Sequence, residues 1–199
     1  MKTEELFDFD KQFNKIVGGC DEAGRGPLAG PVVCAACVMP LGNMIEKIND
    51  SKKLSEKVRE SLFDEIISTA ISYCVAIIDK DVIDEINILN ATKKGMTEAI
   101  NGLKIKPEIM LVDAVKFDCN TEILPLIKGD AKSYNIAAAS ILAKVTRDRI
   151  MRDLDAKYPQ YGFLANKGYG TAKHIQALKQ YGATDCHRKT FIKNFISKE

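Results

Sequence analysis

The chain has 199 residues, 46% hydrophobic and 28% charged, with no apolar run long enough to span a membrane, which excludes a disordered or membrane-embedded chain. The charged, amphipathic stretch 1–13 is no secretory leader, so the expectation is one cytoplasmic domain, 1–199, large enough to bury a real core. Net charge is only +2 but uneven, with 14 Lys/Arg against 6 Asp/Glu in 128–199 and 15 against 21 in 1–127, and a basic C-terminal third points to a polyanionic partner.

Taken in order, Thr3 is expected to cap a short helix carrying Leu6, Phe9 and Phe13 at helical spacing. Ile16 to Met39 reads as a hairpin, strand, acidic corner, tight turn, strand. Its corner holds Asp21 and Glu22, followed by a turn with Gly24, Arg25, Gly26, Pro27, Gly30 and Pro31. Neighbours on a strand point to opposite faces, so both acids serve one site only if the chain bends there. Ser55 caps an amphipathic helix with Val58, Leu62, Ile66 and Ala70 on one face.

Tyr73–Ile78 is a strand by composition, and 81–101 is helical in one or two pieces. Ile109–Asp113 is a short buried strand ending in an acid, and Ile123–Ile127 is an edge strand because of Pro125. Ile136–Lys157 is a long helix, 158–170 a loop rich in glycine and tyrosine, and Thr171 caps another helix. The tail, 187–199, is basic and partly apolar. This order defines an α/β fold whose opening hairpin makes the sheet mixed. Cys34 and Cys37 form an isolated C-x-x-C inside a strand, which reads as buried structural thiols rather than a zinc or redox pair.

Asp21, Asp113 and Asp130 each stand where an apolar run gives way to a polar turn. If the first and fourth strands are neighbours, Asp21 and Asp113 meet outside the strand ends, with Asp130 arriving from the loop before the long helix. Carboxylates that close repel unless a cation or shared proton intervenes, and all-oxygen clusters suit Mg²⁺ or Mn²⁺. Read from spacing alone, three unrelated surface acids remain the alternative. Lys52, Lys53, Lys128 and Lys132 stand near strand or loop ends where phosphates could be met, and Lys167-Gly168-Tyr169-Gly170 offers a charge, a flexible backbone and an aromatic face.

These motifs, in this order, resemble bacterial ribonuclease HII, a type 2 ribonuclease H, over about 16–191. The carriers are Asp21 to Val32, Asp50-Ser51-Lys52-Lys53-Leu54, Asp113, Gly129-Asp130-Ala131-Lys132-Ser133, Ala137 to Asp148, Tyr161-Gly162-Phe163, Lys167 to Thr171, and His187-Arg188. The resemblance implies a ribonuclease H-like, five-stranded mixed sheet flanked by helices, with a C-terminal helical extension over about 158–199. It implies hydrolysis of RNA in RNA–DNA hybrids and incision 5′ of single ribonucleotides in duplex DNA, leaving 5′-phosphate and 3′-hydroxyl ends.

By resemblance, Asp21, Glu22, Asp113 and Asp130 hold two Mg²⁺ or Mn²⁺ ions, with Asp21 bridging them. Gly24, Arg25 and Gly26 read the ribose 2′-hydroxyl largely through backbone groups, and Tyr169 stacks on the following deoxyribose. Lys52 and Ser133 contact phosphates, and the protein acts as a monomer without a membrane. The chain departs from the family pattern at Asn135, Asn166 and Asp185-Cys186. Two alternatives stand beside this reading: a ribonuclease HIII-like enzyme, which would carry Gly-Lys-Gly in the opening turn, and a non-catalytic nucleic-acid-binding module.

Overall fold

The computed structural model describes residues 2–196; Met1 and positions 197–199 of the predicted tail lie outside the described residues. Five strands form one mixed sheet in the order β3-β2-β1-β4-β5, with β1 Val17–Ala23, β2 Val32–Val38, β3 Ser72–Ile78, β4 Ile109–Asp113 and β5 Glu122–Leu126. The hairpin β1–β2 and the pair β2–β3 are antiparallel, whereas β1–β4 and β4–β5 are parallel. The first and fourth strands are therefore neighbours, which meets the condition for Asp21 and Asp113 to come together. All seven residues of β2 are buried, which explains its unbroken apolar sequence: the strand is covered on both faces.

One face is covered by α1 (Thr3–Lys11), α2 (Glu56–Thr69) and the long α4 (Tyr134–Lys157), the other by α3 (Lys80–Asn101). Cys37 belongs to the first core and Cys34 to the second, so the C-x-x-C pair is split across the sheet and burial pushes both thiols up. Helix α3 does run in two pieces: Asn87 takes φ +65, and its Oδ1 accepts from the Asn90 N–H to restart the helix. Thr3 is not the cap expected. Lys2 holds that position, and its N–H donates to Glu5 Oε2 at 3.1 Å.

Helix α4 lies directly on β1. A Cβ on Gly19 would stand 2.0 Å from the backbone carbon of Asn135, so only glycine allows this approach. The start of α4 is fixed by Asp10 of α1, whose Oδ2 accepts from Ser133 Oγ, the Asn135 N–H and Asn135 Nδ2. Asn135 Oδ1 in turn accepts from the Met39 N–H at 2.7 Å. The departure at Asn135 thus joins α1, the residue just past β2 and α4 in one buried hydrogen-bond network.

The stretch 158–170 is more ordered than a plain loop. It holds a 3₁₀ turn at Pro159–Tyr161 and α5 (Phe163–Asn166), followed by α6 (Ala172–Tyr181) and α7 (Lys189–Ile192). Asn166 shapes the turn at its C-terminal side: its Oδ1 accepts from Gly168 N–H and its Nδ2 donates to Tyr161 O, both at 2.7 Å. Asp185 accepts from the Tyr158 hydroxyl, and Cys186 is buried in a third apolar cluster with Leu28 and Met151. Residues 186–188 then run beside the opening turn: Ala29 bridges His187, Gly30 N–H donates to Cys186 O, and Arg188 N–H donates to Leu28 O.

Candidate active site

Strand β1 pairs Cys20 with Val112 of β4, so Asp21 and Asp113 are the next residues out at the carboxyl ends of two parallel strands. Asp130 enters on a 3₁₀ turn, Gly129–Ala131, just before α4. Asp21, Asp113 and Asp130 each present a carboxylate oxygen within 4.8 Å of the others. The expected bend falls after the acids rather than between them: β1 continues through Ala23, and the chain turns at Gly24, φ +98. Glu22 is outside this 4.8 Å group but close enough to repel Asp21, with Oε1 3.6 Å from Arg25 Nη1 and Oε2 buried without a hydrogen-bond partner.

The electrostatics of this corner are unfavourable without a cation. Burial, then Glu22 and Asp113, push the Asp21 carboxyl well above the usual range. Burial also raises Asp113, opposed by the Gly129 N–H that donates to its Oδ1 at 2.6 Å and reinforced by repulsion from Asp130. Glu22 is raised by burial, with Arg25 pulling against it. Lys52 Nζ sits 3.3 Å from Asp130 Oδ2, but its side chain is 78% exposed. Burial lowers Lys52, and the attraction of Asp130 more than offsets this. A buried, all-oxygen donor set with an orphaned carboxylate oxygen beside it fits a hard divalent cation.

Beside the acids opens a cleft of about 330 Å³. Its walls include Asp21, Glu22, Gly24, Arg25, Gly26, Lys52 and Tyr169, so most of the residues predicted from the sequence converge here. Tyr169 is 48% exposed, and a Cβ on Gly26 would lie 3.4 Å from its ring, so ring and turn form one continuous wall. Asp113 and Asp130 stand behind this wall and meet it through Asp21, whereas Ser133 belongs to neither group. It is fully buried, its hydroxyl donates to Asp10 and accepts from Ile136 N–H, and it caps α4 instead of facing phosphate. Lys128 and Lys132 are exposed, and Lys53 is 3.9 Å from Asp50.

Four polar lining residues carry no role read from the sequence: Ser51, Ser140, Lys144 and Arg147. Ser140 Oγ donates to Ser51 Oγ at 2.6 Å, and Lys144 pairs with Asp148 at 2.6 Å. The i, i+4, i+7 spacing of Ser140, Lys144 and Arg147 along α4 was the available signal for a polar stripe on an otherwise buried helix.

A carboxylate cluster suited to a divalent cation, at the strand ends of a mixed five-stranded sheet flanked by helices, is the arrangement of the ribonuclease H class of metal-dependent nucleases, and solved structures similar to this chain share that fold. The family model for ribonuclease HII matches residues 18–194. The chain is 58% identical to a ribonuclease HII of Acetivibrio thermocellus over 92% of its length and 72% of the relative's. It is 56% identical to one from Ruminiclostridium cellulolyticum over 98% and 78% respectively. The crystal structure of ribonuclease H2 from Pyrococcus horikoshii OT3 superposes with a TM-score of 0.77 at 32% identity, covering 90% of this chain and 96% of that one. The chain belongs to the ribonuclease HII family, divalent-metal-dependent endonucleases that act on RNA–DNA hybrids. This displaces both alternatives, and among the described residues no helix is long and apolar enough to cross a membrane.

Proposed function

We propose that this enzyme, a single catalytic unit acting as a monomer in the cytoplasm, incises duplex DNA on the 5′ side of single embedded ribonucleotides as well as cutting long hybrids. The observation that carries the reading is that the cluster of Asp21, Asp113 and Asp130 opens at Asp21 onto one cleft that the Gly24–Gly26 turn and Tyr169 also line. Asp21, Asp113 and Asp130, with Glu22 beside them, would hold two Mg²⁺ or Mn²⁺ ions, Asp21 serving both. Such ions supply Lewis acidity to the scissile phosphate and ease deprotonation of the attacking water.

The chain's own residues select the place. Telling RNA from DNA requires a partner for the 2′-hydroxyl, and backbone groups of a glycine turn can approach it closely. Gly24, Arg25 and Gly26 take that role. Tyr169 stacks on the next deoxyribose, so the ribose-to-deoxyribose junction is the feature that fits the wall. Lys52 is the exposed cation beside the acids and faces phosphate. The test is incubation with Mg²⁺ or Mn²⁺ and a duplex carrying one ribonucleotide. Incision 5′ of the ribonucleotide, with 3′-hydroxyl and 5′-phosphate ends, is expected; binding without incision, or cutting confined to long hybrids, would refute the reading.

A further inference from the structure

Beneath the Gly24–Pro31 turn lies a charged group that the reaction does not use. Arg188, from the tail, is fully buried, and its whole guanidinium is spent on backbone carbonyls of that turn. Nη2 donates to Gly24 O at 2.6 Å and Pro31 O at 3.1 Å, Nη1 to Arg25 O at 2.9 Å, and Nε to Gly30 O at 2.9 Å. Arg147 of α4 works alongside it, donating to Pro31 O, Ala29 O and Lys167 O at 2.9–3.1 Å. Among the described residues neither arginine pairs with a carboxylate. The carbonyl dipoles of one turn take the place of an anion for two buried cations, which is costly unless every donor is satisfied.

We propose that Arg188 is a positioning residue for ribose recognition: it holds the carbonyls of Gly24 and Arg25 inward and so presents the N–H groups of Arg25 and Gly26 to the cleft. In a trans peptide the C=O and the following N–H point in opposite directions, and among the described residues there is no cis bond. Fixing the carbonyls of residues 24 and 25 from below therefore fixes the N–H groups of residues 25 and 26 facing away from Arg188. Two successive N–H groups on one side make a concave donor site for an oxygen. Gly24 fits this role twice over, because its φ of +98 sets the turn and a Cβ there would lie 2.0 Å from Arg147 Nε. The proposal rests on the reading that this turn meets the 2′-hydroxyl.

The test compares affinity for a duplex with one ribonucleotide and for the same duplex in DNA, in Ca²⁺, with the wild type and Arg188→Lys. Lysine keeps the charge but lacks the planar fork. The ribonucleotide preference is expected to fall about tenfold in Arg188→Lys, with affinity for all-DNA duplex within about twofold. A folded Arg188→Lys that keeps the full preference overturns the proposal, whereas a wild type without any preference refutes the underlying reading of the turn. Amide ¹⁵N relaxation on the wild type decides the matter if the variant does not fold. Order parameters at Arg25 and Gly26 of about 0.85, as in β1, are expected, and values below about 0.6 overturn the clamp.

Discussion

The aspartates at the ends of β1 and β4 and the arginines beneath the next turn are both buried clusters of like charge, yet only the second is satisfied by the protein itself. Burial pushes Arg147 down to about 10 and Arg188 to about 9, but each is surrounded by carbonyl oxygens and stays charged at neutral pH. Asp21 and Asp113 have one N–H each, from Glu22 and Gly129, and a largely exposed lysine nearby. The first region holds unbalanced charge that a divalent ion would balance. The second is a finished scaffold. On the proposed reading the recognition turn is prebuilt in the chain, while the acidic corner is completed by the metal.

The largest expected effect breaks the acidic side alone. Asp21→Asn or Asp113→Asn should reduce turnover at least about a thousandfold, close to ~4 kcal/mol, while the metal-free protein melts no lower than wild type because a repulsive charge is gone. A variant of either acid with near-wild-type turnover would remove that residue from the site. Gly19→Ala attacks the support common to both regions. Its Cβ has no room against the first turn of α4, so a loss of about 3 kcal/mol or more in chemical denaturation is expected, and a neutral result would show that α4 can move off β1.

The scaffold side has its own weak point in acid. Thr184 N–H donates to His187 Nδ1 at 3.0 Å, so the hydrogen-bond network assigns the His187 proton to Nε2, facing His174 Nε2 at 3.0 Å. His174 Nδ1–H then donates to Tyr169 O at 2.9 Å. Protonating His174 would place two N–H groups face to face. Burial, then His174, push His187 down to about 4. The unfolded histidine therefore takes up its proton first as pH falls, and stability should drop between about pH 6.5 and about pH 4, by up to about 3 kcal/mol. Denaturation midpoints measured across that window check it, with His187→Asn flattening the slope. Tyr169→Ala should act more mildly, slowing incision at a single ribonucleotide by about tenfold, the worth of one stacking contact. Unchanged incision would remove the ring from recognition.

Much of the fold and of the acidic corner was legible in the sequence because strands and their ends announce themselves. Asp21, Asp113 and Asp130 each close an apolar run, and the parallel pairing of β1 with β4, which spacing alone left open, brings them together. The direction of single side chains was not legible. Glu22 turned toward Arg25 because the strand runs one residue past the acids before the bend. The resemblance implied a phosphate contact for Ser133, but helix capping and Asp10, 123 residues away, claim its hydroxyl. The arginine clamp was invisible for the same reason. Arg188 lies more than 150 residues from the carbonyls it holds, and no local pattern reports a charge spent on distant backbone.

The central claim, that the chain leaves its acidic corner electrostatically unsatisfied for a divalent ion to complete, is tested most directly by thermal melting with and without Mg²⁺ or Mn²⁺. In the wild type, an ion at about a hundred times its dissociation constant should stabilise the fold by about 2.7 kcal/mol, and Asp113→Asn should lose most of that gain. A wild type whose melting temperature ignores both ions, or an Asp113→Asn protein that gains as much as wild type, would contradict it.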